Sequence, residues 1–206
     1  MSDKEILKEL RYIQKNKHDW KSNISNVAEK LDENNSVDVN AKILWLLGEM
    51  GLKYPVEIEK YVKDIICYLD NDNPKLRQRS TNAIGRIGRA DKNLVIPHMD
   101  KLMILKNDKS GGVRHAFVWA CENIAVNASE LFCEKLDIFY TMIYDLEEKV
   151  RIEAPEIFRV IGKNNPECVK PYLDKLEEIC ENDKHPVVRI HCASAIRVTK
   201  KALSKY

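Results

Sequence analysis

Five stretches of the chain superpose when each is aligned on an apolar residue followed by a polar one. The apolar anchors are Val39, Leu76, Val113, Val150 and Val188, at intervals of 37, 37, 37 and 38 residues. Seven residues past each anchor stand Leu46, Ala83, Ala120, Ile157 and Ala195. Eight past stand Leu47, Ile84, Cys121, Phe158 and Ile196, and eleven past stand Met50, Ile87, Ile124, Ile161 and Thr199. Together with offset four, these positions trace one stripe of an amphipathic helix of about four turns. Twelve past the anchor come Gly51, Gly88, Ala125, Gly162 and Lys200. Glycine can take a left-handed backbone, so the pattern predicts helices that stop there.

A second apolar pattern follows each first helix, as in VEIEKYVKDIICYLD, LVIPHMDKLMILKND, LFCEKLDIFYTMIYD and ECVKPYLDKLEEICEND. Its inward stripe comprises Val62, Ile65 and Ile66, then Met99, Leu102 and Met103, then Leu136, Phe139 and Tyr140, then Leu173, Leu176 and Cys180. A turn aspartate closes each unit: Asp72, Asp108, Asp145 or Asp183. Pro74 and Pro186 open the next first helix, where a missing N–H is harmless. Pro155 falls inside a first helix and predicts a kink. No alternating β pattern persists.

A period of this length marks stacked supersecondary units, none of which can bury its apolar face alone. The expected architecture is all-α: a right-handed solenoid of about five and a half helix pairs in a single domain, 1–206. The units run approximately 3–33, 36–71, 73–108, 110–145 and 147–183, followed by a final helix at 186–203. The N-terminal unit is degenerate. Lys200 and Lys201 replace the glycine in the final helix, whose open side is expected to be covered by its own polar residues or by another molecule.

The stretches LRQRSTNAIGRIG, VRHAFVWACENIA, VRIEAPEIFRVIG and VRIHCASAIRV resemble HEAT repeats, an armadillo-type fold. They are most similar to the short-unit subgroup found in phycobilin lyases. The resemblance covers residues 34–203. It implies a stacked Asp–Arg ladder through Asp72/Arg77, Asp108/Arg114, Asp145/Arg151 and Asp183/Arg189, weakened where Asn40 replaces the arginine. It also implies that the second helices line a concave face. Because such folds host scaffolds, regulators and rare enzymes, the fold alone does not assign the activity.

Composition narrows the possibilities further. Net charge is +2 with 32% charged residues, so no strong global field favours nucleic acid or membrane. No apolar run reaches the roughly 18 residues of a membrane span, and the charged start MSDKEILKEL lacks the apolar centre of a signal peptide. The six cysteines are dispersed without a Cys-x-x-Cys pair, which predicts reduced thiols and a cytoplasmic setting.

Matched positions on the second helices carry charge of both signs: Lys63, Asp64, Asp100, Lys101, Asp137, Asp174 and Lys175. This stripe is a candidate groove for a protein segment, and ordinary surface ion pairing is the competing explanation. Arg77, Arg79, Arg86, Arg89 and Lys92 form the densest basic cluster. They could contact phosphate, but with no interleaved aromatics a solvated face fits better. His185 and His191 near Cys180 and Cys192 lack metal-site spacing. No cysteine stands out as a nucleophile, and Glu147/Glu148 and Glu177/Glu178 are sequence neighbours that diverge on a helix. No cofactor or metal is expected.

These features favour a non-enzymatic interaction module. The alternatives are a nucleic-acid-associated relative of alkylpurine DNA glycosylases, or an accessory subunit of a lyase-type enzyme. The glycosylase comparison rests on Trp20, Trp45 and Trp119, of which the last two lie on first helices rather than on the second-helix face.

Overall fold

The computed structural model describes residues 1–205. The chain forms two compact units, residues 1–105 and the residues from Lys106 onward, each treated by itself. Among the described residues there is no strand, and no helix is long and apolar enough to cross a membrane.

The first unit contains α1 (Asp3–Lys15), α2 (Trp20–Ala28), α3 (Val37–Lys53), α4 (Pro55–Ile58), α5 (Val62–Cys67), α6 (Pro74–Ala90) and α7 (Met99–Ile104). The second contains α8 (Gly111–Ala128), α9 (Leu136–Met142), α10 (Glu148–Asn164), α11 (Pro166–Val169), α12 (Leu173–Asn182) and α13 (Pro186–Leu203). From α3 onward the long first helices start at the same 37- or 38-residue spacing as the sequence anchors. In the first unit α3 packs along α6 and also meets α1. In the second, α10 packs on both α8 and α13, and α12 covers α13.

The five anchors are buried, as are all five residues at offset seven and all five at offset eleven. This is the inward stripe that the helical period requires. Ser80, a buried polar residue at offset four, donates its hydroxyl to the Ile65 carbonyl of α5 at 2.6 Å. Thr199 ends the stripe in α13, and its buried hydroxyl has no partner. The helices start as their side chains dictate. Ser36 accepts from the Val39 amide, Asn73 accepts from the Lys75 amide at 2.9 Å, and Pro74 and Pro186 occupy first turns. Pro155 is buried within α10, which runs continuously past it.

The glycines act differently from the sequence expectation. Among the described residues none has a left-handed backbone, and α3, α6 and α10 run two residues beyond Gly51, Gly88 and Gly162. Close approach explains Gly51 and Gly162. A β-carbon on Gly51 would lie 2.6 Å from Ile87 of α6, and one on Gly162 would collide with the Thr199 hydroxyl. At Gly48 the neighbour is backbone: a β-carbon there would lie 2.7 Å from the Ala83 Cα. Helix backbones therefore meet at glycine where bulkier residues would hold them apart.

The second helices are also shorter than expected. Each is entered through 3₁₀ turns: Glu59–Tyr61, Ile96–His98, Ser129–Lys135 and Lys170–Tyr172. Pro97 and Pro171 sit in two of these turns, where an absent N–H breaks a continuous helix.

Cys133, in the 3₁₀ stretch before α9, is disulfide-bonded to Cys168 of α11, with Cα atoms 5.3 Å apart. The expectation of uniformly reduced thiols therefore fails for this pair. They are 35 residues apart, close to one period, which brings them to neighbouring places on adjacent repeats. Local cysteine spacing carries no sign of this.

Candidate functional site

The turns before the first helices share one construction. In the second unit, Asp108, Asp145 and Asp183 each accept the amide two residues ahead, at 2.7–2.8 Å. The arginine six residues on then donates to the aspartate's own carbonyl: Arg114 to Asp108 at 2.8 Å, Arg151 to Asp145 at 2.8 Å, and Arg189 to Asp183 at 2.7 Å. Arg114 also reaches forward one repeat and grips both carboxylate oxygens of Asp145, at 2.8 and 2.7 Å. This bidentate bond raises the pKa of the guanidinium. The Asp145 pKa is lowered although burial opposes the change, because Arg114 and the Glu147 amide together outweigh it.

The first unit corrects the sequence alignment by one residue. Asn71, not Asp72, accepts the amide of Asn73 at 2.9 Å. Arg77 donates to the carbonyls of Asn71 and Asp72, at 2.8 and 3.0 Å. Asp72 is exposed and contributes its backbone. At Asn40 the turn is held by amide chemistry instead, with the side chain donating to Asp32 O at 2.7 Å.

All seven residues of the mixed-charge stripe are exposed. In the first unit Lys101 pairs with Asp70 at 3.4 Å, an exposed contact worth under ~1 kcal/mol. In the second unit Asp137 and Lys175 belong to a larger arrangement. Tyr172 donates to Asp137 at 2.8 Å. The Lys175 ammonium lies 4.9 Å from the Tyr140 ring centre and 5.2 Å from that of Tyr172. Tyr140 meets Tyr144 edge-on at 5.7 Å, and Phe158 supports Tyr172 from beneath at 5.3 Å. Burial first, then the Asp137 bond, pushes the Tyr172 phenol up to about 12. Sequence reading placed Tyr140 in the inward stripe and did not identify Tyr144 or Tyr172. Their signal was recoverable, since Tyr172 follows Asp137 by 35 residues, close to the repeat period. Asp174, Glu178 and Glu181 of α12 are exposed, and the Tyr144 pKa is raised by burial, by Tyr140 and by the nearby Glu178.

The outer faces of the first helices carry a second set of polar groups. In the first unit, Arg11 and Gln14 of α1, Lys42 and Trp45 of α3, and Lys75 and Arg79 around α6 line a cleft of about 520 Å³. In the second unit the corresponding face holds Glu122, Glu153 and Glu156. His115 lies 3.6 Å from Glu153, His191 lies 3.6 Å from Glu156, and Arg159 contacts Glu156 at 2.5 Å and Glu122 at 3.4 Å. Burial, followed by the Glu153 carboxylate, pushes Glu122 up to about 7. Glu153 moves down, chiefly through His115. No group of three or more such side chains among the described residues has metal-binding geometry.

The basic cluster of α6 does not converge on one patch. Arg77 serves its turn, Arg79 lines the cleft, and Arg86 pairs with Glu49 of α3 at 2.5 Å. Trp20 is buried and donates its indole N–H to Ile13 O at 2.9 Å.

The family model for the sister chromatid cohesion protein PDS5 matches residues 32–198. No curated protein sequence matches the chain. Among solved structures, a designed armadillo repeat protein in complex with a (KR)4 peptide has a TM-score of 0.71 at 17% identity, over 93% of this chain and 86% of the designed one. The complex of CpcE and CpcF of phycocyanin lyase from Nostoc sp. gives 0.60 at 20% identity, over 84% of this chain and 98% of that one. The Pds5–Scc1 complex gives 0.58 at 19% identity, over 90% of this chain but only 30% of that one. The fold is an all-α solenoid of the armadillo and HEAT type.

Proposed function

We propose a reading with a family as its premise: the chain belongs to the sister chromatid cohesion protein PDS5 family, and it serves as a non-enzymatic module that holds a segment of another protein on its second-helix face. The observation that carries this is the platform of Tyr140, Tyr144, Tyr172 and Asp137, occupied by the protein's own Lys175. An ammonium stacked on two phenol rings beside a carboxylate mimics what an incoming lysine or arginine would do. Asp137 accepts from Tyr172 and the Glu178 carboxylate acts on the neighbouring Tyr144 phenol, so the segment that fits is basic. The designed repeat protein that resembles this chain was solved with a (KR)4 peptide, which supports the choice. The thiols also support a non-enzymatic role. Burial raises Cys121 well above its ordinary value and pushes Cys192 up to about 12, so neither supplies a thiolate nucleophile. The expected cytoplasmic setting is part of this proposal.

The test is fluorescence anisotropy with a labelled (Lys-Arg)4 peptide. Wild-type protein binds it, and Tyr140→Ala combined with Tyr172→Ala weakens binding about tenfold, the equivalent of two modest cation–π contacts. Equal affinity in the double variant, or no binding by wild type, overturns the assignment.

A further inference from the structure

We propose that the first-helix cleft of residues 1–105 is a second binding site, one that takes the phosphorylated side chain of a polypeptide, with Arg11, Lys42 and Arg79 as its anion clamp and Trp45 as a wall. This site is separate from the second-helix face and does not depend on the reading given for it.

The cleft is lined by four cations and one carboxylate. That carboxylate, Asp38, is already engaged by Lys75 at 2.6 Å. Among the described residues, Arg11 and Arg79 have no ion pair. Lys42 lies 4.3 Å from the Trp45 ring centre and donates to the neutral Gln14. Three uncompensated positive charges therefore meet on three successive first helices, α1, α3 and α6. Their mutual repulsion acts on Lys42, where burial and then Arg11 and Arg79 lower the pKa. An anion bound among crowded cations relieves their repulsion, which adds to its affinity for the spot.

Arg86, further along α6, is by contrast neutralised by Glu49 of α3. Two guanidinium forks and one ammonium match a tetrahedral dianion better than a planar carboxylate, because each fork can bind two oxygens. A cleft of about 520 Å³ has room for one phosphoryl group and its adjoining side chain, with Trp45 contributing apolar surface.

A nucleic-acid strand fits less well. Its phosphates need a continuous basic stripe and its bases need several aromatic platforms. Here Asp38 interrupts the cations within the cleft itself, and Trp45 is the one aromatic residue among the described residues that line it.

Three probes separate the possibilities: a labelled pool of short degenerate peptides with one fixed phosphoserine, the same pool with serine, and a short oligothymidylate. The phosphoserine pool is expected to bind about tenfold tighter than the serine pool, and inorganic phosphate to compete with it. Lys42→Met and Arg79→Gln each remove the discrimination. In ligand-free protein, Arg79→Gln melts at a higher temperature than wild type because one repelling charge is gone, and added phosphate stabilises wild type alone. A purely structural role for these residues would give the opposite shift. Equal binding of the two peptide pools overturns the proposal. So does tighter binding of oligothymidylate that is lost in the same variants, which would reassign the cleft to nucleic acid. Failure of the (Lys-Arg)4 test leaves these outcomes untouched, since none of its substituted residues lies in the first unit.

Discussion

The outer faces of the first helices in the two units occupy the same places in the repeat and carry opposite chemistry. In the first unit, offset three holds Lys42 and Arg79, and their charges stand uncompensated around a cleft. In the second, offset three holds Glu153 and His191, enclosed with Glu122, Glu156 and Arg159 in a network that satisfies most of its members. The buried offsets hardly differ between the units. The helix pairing is therefore specified by one stripe, and the opposite stripe is free to vary. The first unit is left electrostatically open, and the second is closed on itself.

The largest test of this contrast is the disulfide, which lies wholly in the second unit. Cys133→Ser with Cys168→Ser is expected to cost about 4 kcal/mol, as for a loop of 35 residues. Hydrogen exchange should show the loss in α8–α12, with α3 and α6 unchanged. Equal loosening of both would show that their stabilities are not separable. The first unit has its own sensitive point in Gly48. Alanine there meets the Ala83 backbone, which cannot step aside. Overpacking by about 2 kcal/mol should outweigh the better helix propensity of alanine, and denaturant titration would report it. A gain in stability would disprove the close approach.

The third test concerns the closed network. Glu122 has a folded pKa of about 7, above its ordinary 4.5. It therefore binds more protons when folded than when unfolded. Its contribution is greatest below pH 4.5 and declines as pH rises through 7. Glu122→Gln should flatten the stability profile across that window and raise stability at pH 8 by about 1 kcal/mol. An unchanged profile would remove Glu122 as its source. The smallest effect is expected at Thr199, whose buried hydroxyl is unpartnered. Thr199→Val keeps the shape and should gain somewhat under about 1 kcal/mol, seen as a small rise in melting temperature.

The fold was legible because the anchors and offsets seven and eleven report burial directly. Val39 to Val188 all fell on the inward stripe. The glycines were misjudged because a close approach and a helix stop both select glycine, and only a neighbouring helix distinguishes them. Asp72 was misaligned because Asn71 makes the same side-chain turn, and an aspartate beside it looks more like its counterparts. Several contacts were within reach once the period was known: Asp38 with Lys75, Glu49 with Arg86 and Glu122 with Arg159 are each 37 residues apart. The cleft was not within reach. Arg11 and Gln14 come from the degenerate first unit, outside the alignment, and what matters about Lys42 is the lack of an anion near it. A sequence records which charges exist but not which of them go unanswered.

The bridge between Cys133 and Cys168 has a mechanical consequence. A chain of stacked helix pairs stretched from its ends lengthens by peeling off one pair at a time. The 35-residue span closed by the sulfurs cannot join in. It withholds roughly 120 Å of slack until a reductant opens the clasp, so the extensibility of this protein under tension would be set by the thiol chemistry of its surroundings.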